Sequence, residues 1–203
     1  SCLLVEEQGA RVLIDPGCWS RGFEDLTNLS AVLLTHEHSD HTDINNLKKI
    51  ISNNSEMPIF TNSGVGKVLE ADHLSYQRIE EGNAWQVAGV PIAVYGRDHA
   101  VIYPTMPIVE NTGYLIGGRL FCTGDALVLP PVPVEVLALP VCAPWLLLAK
   151  AIDFAKAIKP KMCFPVHDGM LAHTTGFYRH AEREVTAVGI KWFIPENGVS
   201  FEV

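Results

Sequence analysis

The chain reads as an α/β (α+β) protein in which mixed β-sheets carry helices on their outer faces. Three observations predict this. Short apolar runs closed by glycine, proline or aspartate recur through most of the sequence, as strands between turns do. Stretches with apolar residues three and four apart follow strand-like runs in both halves, which is the pattern of βα pairs. No linker, low-complexity tract or short-period repeat interrupts the 203 residues, so one domain spanning 1–203 is expected.

Taken in order, Cys2–Val5 and Arg11–Ile14 form a two-stranded hairpin around Gly9, the second strand closing on Asp15-Pro16-Gly17. Ala31–Thr35 is a third strand that empties into a polar loop. A helix is expected to begin near Asp40, with Ile44, Leu47, Ile50 and Ile51 on its apolar face. Pro58–Thr61 reads as a strand and Ser63–Ala71 as a short helix. From Gln77 to Tyr95, brief strands are separated by Gly82 and Gly89. Gly113–Ile116 and Leu120–Thr123 flank the hairpin dipeptide Gly117-Gly118. Val134–Leu139 is a strand, Trp145–Ile158 an amphipathic helix ended by Lys159-Pro160, Lys161–Val166 a strand and Phe177–Val188 a helix. Lys191–Ile194 and Val199–Val203 finish the chain as strands.

Composition narrows the function classes. At 48% apolar, the chain buries enough surface to offset its ordering entropy, which excludes disorder. Its longest apolar stretches fall far short of the ~20 residues that span a bilayer, and Ser1–Arg11 lacks the basic start and apolar run of a secretory leader. Fifteen Lys and Arg against 23 Asp and Glu give a net charge of −8, which disfavours a general nucleic-acid binder. Five scattered cysteines, Cys2, Cys18, Cys122, Cys142 and Cys163, form no C-x-x-C pair. They suit a reducing, cytoplasmic setting better than a disulfide framework.

The chemistry concentrates at His36-x-His38-x-Asp40-His41, at the mouth of the third strand. Alternate residues of an extended segment point the same way, so His36 and His38 can face one metal ion. Where the chain turns toward the helix, Asp40 and His41 swing to a neighbouring position and can hold a second. His99, Asp125 and His167 each stand where a strand gives way to a loop, so all can open onto one sheet edge. Imidazole and carboxylate are the usual ligands of Zn²⁺ and its neighbours.

The H-x-H-x-D-H run, the later His99, the Gly124-Asp125 pair and His167 resemble, in kind and order, the metallo-β-lactamase superfamily. The similarity extends from Arg11-Val-Leu-Ile-Asp-Pro-Gly to Phe164-Pro-Val-His167. It implies an αββα four-layer sandwich: two mixed sheets face to face, helices on the outer faces and the site along one edge. It further implies that His36, His38 and His99 hold one metal, that Asp40, His41 and His167 hold another, and that Asp125 bridges them. Relatives usually have one or more strands ahead of the segment equivalent to Cys2–Val5. One main class of true β-lactamases has cysteine where this chain has Asp125, which disfavours antibiotic hydrolysis. His38 replaces the glutamate of the di-iron oxygen-reducing relatives, which disfavours that redox chemistry.

The resemblance thus implies a hydrolase using two divalent ions, Zn²⁺ ahead of Mn²⁺ or Fe²⁺, that share a water made acidic enough to attack near neutral pH. Asp40 is expected to orient that nucleophile and pass a proton to the leaving group. A small ester or lactone substrate is expected, in a compact branch resembling the ascorbate-6-phosphate lactonase-like proteins. The alternatives are a phosphodiesterase or nuclease of the same fold, and a non-hydrolytic mono-iron sulfur dioxygenase-like or scaffold member. Asp15 is a candidate to orient a ligand histidine, and His173, Tyr103 and Asn111 are candidate pocket residues. Trp145 is read chiefly as core packing. Nucleic acid and membrane partners are disfavoured, and self-association is left open.

Overall fold

A computed structural model describes all of residues 1–203. In the first half, β1 (Leu3–Glu7) and β2 (Ala10–Ile14) pair antiparallel, and β3 (Ala31–Leu33), β4 (Ile59–Thr61) and β5 (Gln77–Arg78) add in parallel. Helices α1 (Ile44–Asn53) and α2 (Ser63–Ala71) make the crossovers. In the second half, β6 (Ala84–Val87), β7 (Val90–Tyr95), β8 (Gly113–Ile116) and β9 (Leu120–Cys122) run as an antiparallel meander. Then β10 (Val136–Pro140), β11 (Met162–Val166) and β12 (Lys191–Trp192) add in parallel, joined through α3 (Leu148–Ile158) and α4 (Thr175–Thr186). The result is a five-stranded and a seven-stranded mixed sheet.

Strand alternation sorts the apolar residues of the strands into layers. Val12, Ile14, Ala31 and Leu33 of the small sheet meet Ile92, Tyr114, Ile116, Ala138 and Phe164 of the large one in a shared inner core. On the opposite face of the small sheet, Leu13, Val32 and Leu34 pack on Leu47 and Ile50 of α1 and on Val65 and Leu69 of α2. Leu115, Phe121, Leu137, Leu139 and Cys163 of the large sheet pack on Ala151 and Phe154 of α3 and on Ala181 and Val185 of α4. These three cores define the expected αββα sandwich. No helix is long and apolar enough to cross a membrane.

Several element boundaries differ from the sequence reading for local reasons. The first helix begins at Ile44 rather than near Asp40, because the Asp43 side chain caps it by accepting the Asn46 N–H at 2.8 Å. The third begins at Leu148, not Trp145. Pro144 and Trp145 instead form a turn closed by the Leu146 N–H on Ala143 O at 3.0 Å, which holds them out of the helix. The last helix spans Thr175–Thr186, two residues earlier than expected at each end. The final expected strand, Val199–Val203, is not formed, and β12 stops at Trp192. In this tail Phe201 packs at a tilt against Phe193 and meets Phe164 edge-on, while Val199 and Val203 stay exposed, so one aromatic anchor replaces a ladder.

One polar contact crosses the sandwich. The fully buried Tyr114 hydroxyl of β8 donates to Leu34 O at 2.8 Å and lies 3.3 Å from Phe60 O, both on the small sheet. Both carbonyls keep another donor, Thr61 Oγ1 for Leu34 and the Leu34 N–H for Phe60. Tyr114→Phe therefore lowers stability by about 1 kcal/mol rather than by a full buried-orphan penalty, read as a shifted urea midpoint at constant slope.

Candidate metal centre

The parallel strands deliver their C-terminal ends to one edge, and the residues singled out by sequence lie just beyond them. Asp15 follows β2, His36 to His41 follow β3, His99 follows β7, Asp125 follows β9 and His167 follows β11. Two non-glycine residues take left-handed backbone here, Asp15 at φ 48° and His167 at φ 59°, turning each strand abruptly at the site.

Three overlapping groups result: His36, His38 and His99; Asp40, His41 and His167; and His36, His41 and Asp125. Within each group, one potential ligand atom per residue lies within 4.8 Å of the others. Asp125 reaches both of the first two groups. Its Oδ1 is 3.3 Å from Nε2 of His41 and of His167, and its Oδ2 is 3.5 Å from His99 Nε2. Asp40 Oδ2 stands 3.3 Å from His167 Nε2 and 3.7 Å from His41 Nε2.

The other face of each deep imidazole is anchored. His41 Nδ1 lies 2.7 Å from Asp15 Oδ2, His36 Nδ1 3.0 Å from Thr35 Oγ1, His99 Nδ1 2.5 Å from Ala100 O and His167 Nδ1 2.6 Å from Cys142 O. A proton on Nδ1 facing these oxygens leaves the Nε2 lone pair turned inward, the tautomer a metal requires. Nε2 of His36, His41, His99 and His167, together with Asp125 Oδ1, is buried with no hydrogen-bond partner. The short approaches among them are ion-pair contacts rather than aligned hydrogen bonds. Five buried orphan atoms converging on one point are costly unless something binds them, and a divalent cation fits that donor set.

Electrostatics divides the cluster. Burial, reinforced by neighbouring imidazoles, lowers the pKa of His36 and His38. Burial also works against protonation of His41 and His167, but Asp15 and Asp125 overcome it at His41, and Asp125 with Asp40 raises His167 to about 10. Burial likewise opposes ionisation of Asp40 and Asp125, yet the facing histidines hold both carboxyls below their ordinary range.

Other residues support this arrangement, and sequence reasoning missed or misplaced them. Asn111 is a structural support of the Asp125 turn. It is fully buried, its Nδ2 donates to Thr123 O at 2.9 Å and its Oδ1 accepts the Asp125 N–H at 2.9 Å. Gly124, at φ 62°, leaves the room that Asn111 occupies, since an added Cβ would fall 2.3 Å from Asn111 Oδ1. Trp145 is not simply core: its indole N–H donates to Asp125 Oδ2 at 2.9 Å, and its ring stands edge-on to His99 at 6.0 Å. Proline before Trp145 was the one available signal, and Asn111 offered none. His173 is exposed in the loop before α4 and belongs to none of the groups, and Tyr103 is exposed as well.

A family model described as a Beta-lactamase superfamily domain matches residues 1–167. Protein Rv0786c of Mycobacterium tuberculosis is 34% identical over 207 residues, covering 99% of this chain and 96% of that protein. Among solved structures, a candidate metal-dependent hydrolase from Parabacteroides distasonis aligns with TM-score 0.78 and 20% identity over 96% of this chain and 89% of its own. Igni18, a metallo hydrolase from Ignicoccus hospitalis, aligns with TM-score 0.75 and 22% identity over 100% and 95%. At these identities the structures speak to the fold.

The brace on His41 is open to direct test. Asp15→Ala should weaken divalent-metal affinity by about 10–100-fold, measured by competition with a chromophoric chelator. Unchanged affinity would show that His41 needs no orienting carboxylate.

Proposed function

The chain belongs to the beta-lactamase superfamily, and on that premise we propose that it is a metal-dependent hydrolase using two divalent ions, Zn²⁺ foremost, on a small ester or lactone. The observation that carries the reading is the set of buried, partnerless Nε2 atoms, each aimed by an anchored Nδ1, around the partnerless Asp125 Oδ1. His36, His38 and His99 would hold one ion, Asp40, His41 and His167 the other, with Asp125 offering one oxygen to each. Bound there, such ions supply Lewis-acid polarisation of a carbonyl and a water acidic enough to attack near neutral pH.

The remaining work falls to the protein. Asp40 is the more accessible of the two acidic members, with its side chain 19% exposed against 6% for Asp125. It is therefore the group we assign to orienting the nucleophile and handing a proton to the leaving oxygen. Asp125, held by the Asn111 turn and the Trp145 N–H, keeps a fixed position while that proton moves. His38 is the half-buried histidine at the mouth, where an incoming substrate passes it.

Elemental analysis of the purified chain should find close to two equivalents of Zn, Mn or Fe, and His38→Ala should lose most of the metal together with hydrolysis. One equivalent of iron and no hydrolysis would favour the dioxygenase-like alternative. A panel of lactones, thioesters and bis-p-nitrophenyl phosphate separates the substrate classes: turnover of the phosphodiester alone would replace the ester reading with the phosphodiesterase one. Gly17→Ala divides the two ion positions, because an added Cβ would lie 1.9 Å from Asp40 O and must push the Asp40–His41 turn aside. Stoichiometry should fall toward one, with the His36, His38 and His99 position retained.

A further inference from the structure

The loops around the cluster expose large apolar side chains to water. The segment Ala100–Ile108 leaves the centre at His99 and returns to it. The His99 N–H donates to Val109 O at 2.9 Å, the Ala100 N–H to Asp125 O at 2.9 Å and the Asn111 N–H to Arg97 O at 2.8 Å. It is a flap whose base is bonded to two members of the cluster. Beyond that base, Val101, Tyr103 and Ile108 are each more than half exposed. Leu147, at 70% exposed, closely follows Trp145, which touches both Asp125 and His99. Trp19, at 59%, lies near Gly169, just past His167. Exposed apolar groups on loops that border a buried polar centre mark a surface suited to an apolar ligand.

Charge points the same way. The loops carrying or flanking the cluster hold two arginines, Arg21 and Arg97, and no lysine, and the Arg21 guanidinium is engaged with the carbonyls of Cys18 and Ser20. Glu37, Asp98, Glu110 and Asp168 stand on the same loops. Such an edge sets one exposed, unengaged guanidinium, Arg97, against four carboxylates, a poor surface for a polyanion.

We infer, building on the hydrolase reading, that the site takes an uncharged carbonyl compound whose alkyl or aryl part lies against Val101, Tyr103 and Ile108 of the flap and against Trp145. Because the flap hangs from His99 and Asp125, a substrate seated on it is held with its carbonyl over the metal-ligating atoms. The apolar part then sets specificity, and the cluster supplies the chemistry.

Hydroxamates test this through binding alone. With the zinc-loaded full chain, calorimetry compares acetohydroxamate with octanohydroxamate. Each fully buried methylene is worth roughly fourfold, so even partial burial makes the longer compound at least about tenfold tighter. The double variant Tyr103→Ser, Ile108→Ser should pull that ratio below about threefold while keeping wild-type metal content and melting midpoint. Equal affinities in the wild type overturn the inference, as does failure of both compounds to bind a chain that elemental analysis shows to be metal-loaded. A chain that takes up no metal overturns the hydrolase reading and this inference with it. If the flap is instead covered by a second copy, the wild type elutes at twice 22.3 kDa, the double variant elutes as a monomer and the ratio is the same in both, which also overturns it.

Discussion

The metal-facing atoms depend first on the carboxylate of Asp15. It is 2% exposed, sits at the end of β2 and collects three donors: Thr35 N–H at 2.8 Å, Thr35 Oγ1 at 2.7 Å and His41 Nδ1 at 2.7 Å. Thr35 in turn lies 3.0 Å from His36 Nδ1. One side chain thus fixes the exit of β3, the rotation of His41 and, through a hydroxyl relay, that of His36. A carboxylate this deeply buried is tolerable because its acceptor capacity is met within the protein. Replacing it removes the acceptor of all three donors at once.

That local network is meaningful only because the two sheets hold their edges in fixed relation. Alternation puts Ile14 and Leu33 inward against the large sheet, while Leu13, Val32 and Leu34 face the helices, so β2 and β3 are clamped on both sides. Tyr114 adds a directional tie next to the residues that lead into His36. Apolar packing alone is non-directional and allows the sheets to slide, whereas a buried hydroxyl on two carbonyls fixes their register.

Much of this was legible in the sequence because its signals are local. Most strands up to β11 show as short apolar runs between turn residues, and the spacing from His36 to His41 packs four candidate ligands into the loop just past β3. What escaped was tertiary. Trp145 belongs to an apolar run that reads as helix, yet it lies in a turn with Pro144 ahead of α3, its indole bonded to Asp125. Asn111 is an isolated asparagine whose role exists only because Gly124 bends the Asp125 turn toward it. The tail at Val199–Val203 has a strand's composition, but Phe201 finds aromatic neighbours and the backbone finds no ladder.

The division of the cluster between the sheets makes the centre a staple as well as a reaction site. His36, His38, Asp40 and His41 come from loops of the five-stranded sheet, and His99, Asp125 and His167 from loops of the seven-stranded one. An ion gripped by both binds the assembled sandwich and not the open chain. At a hundred times its dissociation constant, such an ion adds about 2.7 kcal/mol to the folded state. The tolerance of this fold for destabilising change in its cores is therefore coupled to metal supply, and a chain in a metal-rich environment carries a stability reserve that its apolar packing does not provide.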